Sequence, residues 1–128
     1  MIILDTSALI EITRGNDKGK KIIEIIKEDN YATTSINMHE LLILTRKEEK
    51  SKFREFFNSL RIFPYSRKCV EKSVNIEKAL MQSGNLINRI DILIGSICLA
   101  QEASILTLDL DFNKIKGLKV MVIKANTD

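Results

Sequence analysis

The sequence predicts an α/β protein: a parallel sheet with helices on both faces. Three observations carry that reading. Short apolar or β-prone runs recur at residues 2–5, 31–34, 61–65, 104–108 and 118–123. The segments between them repeat their apolar residues at helical spacing. Helix-capping and helix-stopping residues punctuate the boundaries.

Taken in order, Ile2, Ile3 and Leu4 form a run suited to a strand buried on both faces. Thr6 or Ser7 can cap a helix running to about Arg14, which Gly15 and Asn16 end. Asp17 starts a second helix, with Ile22, Ile23, Ile25 and Ile26 as one apolar stripe. Residues 31–34 read as a second strand. Ser35, Ile36 and Asn37 open a helix carrying Met38, Leu41, Leu42 and Leu44. A charged helix at about 50–60 buries Phe53, Phe56 and Phe57. Residues 61–65 form a short strand, and Pro64 places it at a sheet edge or a strand end. Ser66 caps a long helix that Gly84 terminates near Ser83. Asn88 caps the next, with Ile90, Leu93, Ile94, Ile97 and Cys98 inward. Strands at 104–108 and 118–123 complete the chain.

A chain of 128 residues fits one domain, residues 1–128, and 45% apolar with 29% charged residues is an ordinary globular balance. Cys69 and Cys98 have no partner at metal-ligand spacing and read as free thiols of a reducing compartment. Asp5 interrupts what would be the apolar part of a secretory signal, and no apolar stretch is long enough to span a bilayer. A cytoplasmic protein without membrane contact is expected. The net charge of +3 is concentrated: residues 37–72 carry nine basic and five acidic side chains. That excess is either a solvated helical surface or a weak attraction for a polyanion.

Four acids stand out because they interrupt apolar runs at element ends. Asp5 follows the first strand. Asp109, with Asp111 two residues on, follows the strand at 104–108. Glu40 and Asp91 each lie three residues after an Asn, in Asn37-Met38-His39-Glu40 and Asn88-Arg89-Ile90-Asp91. A first-turn carboxylate faces the positive end of the helix dipole, which favours its ionised form. Each Asn-x-x-acid can equally be a capping box, Asp5 a cap, and Asp109 a turn residue. Jointly, however, the four would meet at the carboxyl edge of a parallel sheet, where ligands bind in such folds. Clustered carboxylates repel one another and require a cation. Oxygen ligands without His or Cys suit Mg²⁺ or Mn²⁺ rather than zinc, and such ions serve phosphodiester cleavage.

The segments LDTSALIEI, SINMHELL, DILIGSICLA and ILTLDLDFNKIKGLKV resemble, in order and spacing, the PIN domain family, in particular its VapC-type toxin ribonucleases. The resemblance covers nearly the whole chain. It implies a three-layer α/β/α sandwich on a mainly parallel sheet. It also implies an Mg²⁺- or Mn²⁺-dependent endoribonuclease acting on RNA, a cognate antitoxin protein as partner, and a homodimer. By position the family's acids fall on Asp5, Glu40, Asp91 and Asp109. The small hydroxyl residue after the first acid matches Thr6 and Ser7, and Thr107 matches the threonine before the last.

Many relatives carry Asn where Asp109 sits and an acid further along. Asp109 is preferred here as the inner ligand, with Asp111 capping the turn at 113–116 or lying further out. On this reading Asp5, Glu40 and Asp91 bind the ion directly or through water, and Asp109 through water. Ser7 binds a water or phosphate oxygen, or caps its helix; Thr107 orients an acid, or is an ordinary strand residue. Arg89 binds a phosphate or an antitoxin carboxylate, or is a surface arginine. His39, beside Glu40, is expected to face elsewhere. A PIN-like scaffold that binds RNA or protein without cleaving is the main alternative. A haloacid dehalogenase-type phosphatase would need its Asp-x-Asp near the start of the chain with further motifs downstream, whereas Asp109 and Asp111 lie near the end of this sequence; a receiver-like phosphoacceptor leaves Glu40 and Asp91 unexplained.

Overall fold

The structure, a computed structural model, describes residues 1–124. In chain order its elements are β1 (Ile2–Leu4), α1 (Thr6–Arg14), α2 (Asp17–Ile26), β2 (Tyr31–Thr34), α3 (Ser35–Leu44), α4 (Lys50–Asn58), β3 (Arg61–Phe63), α5 (Arg67–Ser83), α6 (Arg89–Ala100), β4 (Ser104–Thr107) and β5 (Val120–Val122), with short 3₁₀ turns at Lys47–Glu49 and Leu110–Lys114. The strands form one sheet in the order β3-β2-β1-β4-β5, and every pairing is parallel. β3 is an edge strand, as Pro64 implied.

Alternation along each strand sorts side chains to two cores. Ile3 and Ile105 face α5 and α6, joining Cys69, Leu80, Ile92, Ile94, Ile97, Cys98 and Phe112. Ile2, Leu4 and Leu106 face the other way, toward Leu9 of α1, Ile22 and Ile26 of α2, Leu41 of α3, and Phe53 and Phe57 of α4. Helices therefore cover both faces, giving the three-layer α/β/α sandwich. Each aliphatic side chain so removed from water contributes roughly 1.5–3 kcal/mol.

Two apolar assignments differ from the periodic reading. Ile90 is left 39% exposed and Ile92 is fully buried in its place. Ile23 is 46% exposed, so the stripe of α2 is narrower than four isoleucines. In both helices the runs of apolar residues are longer than the buried face, and periodicity alone cannot say which residue is surplus.

α1 and α2 meet at a sharp corner. Gly15 closes α1 in the left-handed region (φ 65°), where a side chain would be strained. Gly19 then lets α2 cross α1 closely: a Cβ there would sit 2.2 Å from the Glu11 carbonyl oxygen. This corner sets how α1 lies on the sheet.

The sheet order reverses direction at β1. The chain moves outward from β1 through β2 to β3, then returns to β4 on the other side of β1. The carboxyl ends of β1 and β4 flank that switch point, where a crevice forms in folds of this type.

Candidate metal centre

Asp5 follows β1 directly and occupies the N-cap position of α1, with extended backbone, yet its carboxylate makes no capping bond. It turns instead into the crevice, where it is 6% exposed. Oδ1 accepts a hydrogen bond from Asn37 Nδ2 at 3.0 Å. Oδ2 accepts from Thr107 Oγ1 at 2.7 Å and from Ser7 Oγ at 3.0 Å. Three neutral donors thus replace the lost hydration of a buried carboxylate. No ion pair among the described residues reaches it.

The two hydroxyls do more than hold Asp5. Thr107, the last residue of β4, accepts from the Asp109 N–H at 3.0 Å, and Ser7 accepts from the Leu108 N–H at 3.0 Å. They thereby join the start of α1 to the loop after β4. Ser7 is not a helix cap: it is the second residue of α1, whose N-cap position Asp5 holds.

Glu40 reaches the crevice by a different route from the one its spacing suggested. Thr34, not Asn37, caps α3, accepting from the Asn37 N–H at 3.1 Å. Asn37 is inside the first turn and fully buried. Glu40 is the sixth helical residue, past the range of the dipole's strongest effect. Its Oε1 accepts from Thr6 Oγ1 at 2.7 Å. The tripeptide Thr33-Thr34-Ser35 offered an earlier capping residue, and that signal was available in the sequence.

Asn88 does cap α6, its side chain accepting from the Ile90 N–H at 2.9 Å. Asp91 lies in that first turn, but no side-chain hydrogen bond among the described residues ends on it as a capping box would require. Its pKa is pushed up to about 7. Burial is the main cause, followed by the negative charges of Asp5, Asp109, Glu40 and Asp111. Burial and like charge therefore outweigh the helix dipole, which acts the other way.

Asp109 caps the 3₁₀ turn Leu110–Lys114, its Oδ1 accepting from the Asp111 N–H at 2.9 Å. Among the described residues no hydrogen bond ends on the Asp111 carboxylate, and the cap of this turn is Asp109. The Asp111 carboxylate turns back so that one oxygen from each of Asp91, Asp109 and Asp111 lies within 4.8 Å of the others. Lys114 stands 3.5 Å from Asp111 at the rim. Arg89 turns away from the acids: it forms two 2.9 Å hydrogen bonds with Glu77 of α5. His39 is exposed. Cys98 is fully buried, and burial drives its thiol pKa upward, so it is inert as a nucleophile.

Asp91, Asp109 and Asp111 thus bring carboxylate oxygens together, and the charges of Asp5 and Glu40 act on the same half-buried Asp91. The donor set is all oxygen, and three oxygens lie close enough to share one ion. These features fit a hard divalent cation such as Mg²⁺ or Mn²⁺.

A parallel α/β sandwich with Asp91, Asp109 and Asp111 grouped so that they could hold a metal ion defines the class. The model of the PIN domain matches residues 2–118, and the chain belongs to the PIN domain family. It is similar to ribonuclease VapC2 of Rickettsia felis, 29% identical over 91% of this chain and 92% of that protein. Among solved structures, VapBC2 from Rickettsia felis bound to a DNA fragment from their promoter superposes with a TM-score of 0.82 at 28% identity, over 96% of this chain and 99% of the other. VapBC-1 from nontypeable Haemophilus influenzae gives 0.83 at 19% identity, over 95% and 98%. Among the described residues no helix is long and apolar enough to cross a membrane.

Proposed function

We propose that this protein is an endoribonuclease of the VapC type, hydrolysing RNA phosphodiester bonds with Mg²⁺ or Mn²⁺, and that it is the toxin of a toxin–antitoxin pair. One observation carries the reading most: one oxygen from each of Asp91, Asp109 and Asp111 lies within 4.8 Å of the others, and the charges of Asp5 and Glu40 act on the same site. A hollow so charged is costly to a resting protein and is relieved by a divalent cation. The 29% identity with ribonuclease VapC2 supports the choice of RNA as substrate.

In this reading Asp5, Glu40, Asp91 and Asp109 hold the ion, and Asp111, from its place beside Asp91 and Asp109, joins them. When bound, the ion supplies an activated water and neutralises charge developing on the phosphate. Asp5 is the fixed member, held by three donors. Ser7 and Thr107 orient Asp5 rather than the phosphate. Arg89, tied to Glu77, serves the packing of α5 on α6.

The partner is a cognate antitoxin. A groove of about 600 Å³ between α1, α3 and α4 offers it a seat, with Ile10, Leu41, Leu44 and Phe53 between Arg14 and Arg46. Arg14 and Arg46 are already paired with Glu11 and Glu49, so the apolar face of an amphipathic segment suits that lining. A cytoplasmic homodimer is part of the same reading.

The test is cleavage of a structured RNA by the purified protein with Mg²⁺ or Mn²⁺, against the same reaction in EDTA and against Asp5→Asn. Cleavage that needs the ion and Asp5 supports the proposal. Cleavage retained in EDTA overturns metal catalysis. RNA binding without cleavage in any condition makes the chain a silent scaffold.

A further inference from the structure

We propose that Asn37 is a positioning residue: a directed chain of hydrogen bonds from Thr34 through Asn37 and Thr6 holds Asp5 and Glu40 in fixed relation to each other for a shared divalent cation. The inference rests on the metal-dependent reading above and adds to it residues outside the acid set.

The direction of the chain follows from counting donors and acceptors. The Thr34 hydroxyl oxygen accepts the Asn37 backbone N–H at 3.1 Å and has one proton left to give. It gives it to Asn37 Oδ1 at 2.7 Å. That bond fixes the amide, because the flipped amide would set its N–H₂ against Thr34 and its carbonyl against Asp5. Asn37 Nδ2 then has two protons and two acceptors, Asp5 Oδ1 and Thr6 Oγ1, each at 3.0 Å. Thr6, having accepted, donates its single proton to Glu40 Oε1 at 2.7 Å. Each donor is used once.

The geometry has a consequence for the two acids. They come from different elements, Asp5 from the end of β1 and Glu40 from the second turn of α3. Nothing else described links their side chains. Asn37 is 0% exposed, as is Thr34, so water cannot substitute for either. Among the described residues no donor reaches Glu40 Oε2, whereas both Asp5 oxygens are occupied. Glu40 thus keeps one unshared oxygen, and its direction depends on Thr6.

The test compares Thr6→Val, Thr6→Ser and Asn37→Ala with wild type, reading Mn²⁺ affinity by calorimetry and the thermal midpoint of the metal-free protein. Thr6→Val keeps the side-chain shape but breaks the chain after Asn37. It is expected to weaken Mn²⁺ binding about tenfold, a loss of about 1.4 kcal/mol, and to lower the metal-free midpoint modestly, because the buried Asn37 amide loses an acceptor. Thr6→Ser is expected to restore wild-type affinity. The double variant Thr6→Val/Asn37→Ala is expected to bind no more weakly than Asn37→Ala alone, since both break one chain. Tight wild-type binding that Thr6→Val leaves untouched overturns the inference alone, as does a double variant whose losses add. A wild-type protein that binds no Mn²⁺ overturns the metal-dependent reading and the inference with it. Should Asn37→Ala fail to fold, the Val and Ser pair at position 6 still decides.

Discussion

The Thr107 hydroxyl donates to Asp5 Oδ2 at 2.7 Å across 102 positions of sequence. The same oxygen accepts the Asp109 N–H, so a single side chain fixes one acid and the backbone that carries another. Thr107→Val removes the donor to Asp5 and leaves the Asp109 N–H without its acceptor. A loss of about 1–3 kcal/mol in unfolding free energy is expected, together with weaker Mn²⁺ binding. Urea denaturation and calorimetry measure the two.

Asp91 yields a prediction of opposite sign. Its carboxyl is raised from 3.8 to about 7 in the fold, so between those values the folded protein binds a proton that the unfolded chain has lost. Stability of the metal-free protein therefore falls, through this group, as pH rises from about 4 to about 7, and the full penalty remains above that range. Asp91→Asn removes the charge and is expected to stabilise the metal-free protein at pH 7.5 by about 1–2 kcal/mol, discounted for solvent screening of a half-exposed group. The variant should also lose Mn²⁺ binding and RNA cleavage. A lower thermal midpoint for Asp91→Asn at pH 7.5 would contradict the account.

Cation binding should depend on the same proton. Mn²⁺ must displace it from Asp91, so affinity is expected to rise between pH 6 and pH 8 and to level off beyond. Added Mn²⁺ should raise the thermal midpoint of the wild-type protein by mass action, and the increment should shrink at pH 5.5. Differential scanning fluorimetry at several pH values reads both effects.

Gly19 tests the corner between α1 and α2. In Gly19→Ala the new methyl would meet the Glu11 carbonyl oxygen at 2.2 Å and its carbon at 2.8 Å, both backbone atoms that no side-chain rotation can clear. A destabilisation of about 1–3 kcal/mol is expected, without any change in the charge of the acidic hollow. Chemical denaturation decides it.

Arg89 is expected to be dispensable for chemistry. Its guanidinium is bound to Glu77 on an exposed surface, and exposed ion pairs contribute little. Arg89→Ala should leave RNA cleavage and the thermal midpoint close to wild type. A large loss of cleavage would return Arg89 to the phosphate-binding role its sequence position allowed.

Much of this was legible in the sequence because it depends on short-range pattern. Apolar runs gave residues 2–5 and 104–108 as strands, and the strands observed are Ile2–Leu4 and Ser104–Thr107. Asn88 was visible as a cap because capping needs only a side-chain oxygen two or three residues before an N–H. The acids drew notice because ionised groups rarely interrupt buried runs without cause. Asn37 was misread for the same reason that Asn88 was read correctly: local spacing fits both. Thr34 took the cap, and Asn37 was left to turn inward.

The sequence by itself determined the alternation of strands and helices, hence a parallel sheet with its acids at one edge, since parallel strands share a direction. It could not determine which helix face is surplus, nor which way each carboxylate turns. Only the tertiary structure decided that Asp5 leaves its own helix to accept from Asn37 and Thr107, that Asp111 points back toward Asp91, and that Arg89 pairs with Glu77. The physical reason is that a buried polar group takes whichever partner stands within about 3 Å, and the chain brings those partners from far along its length.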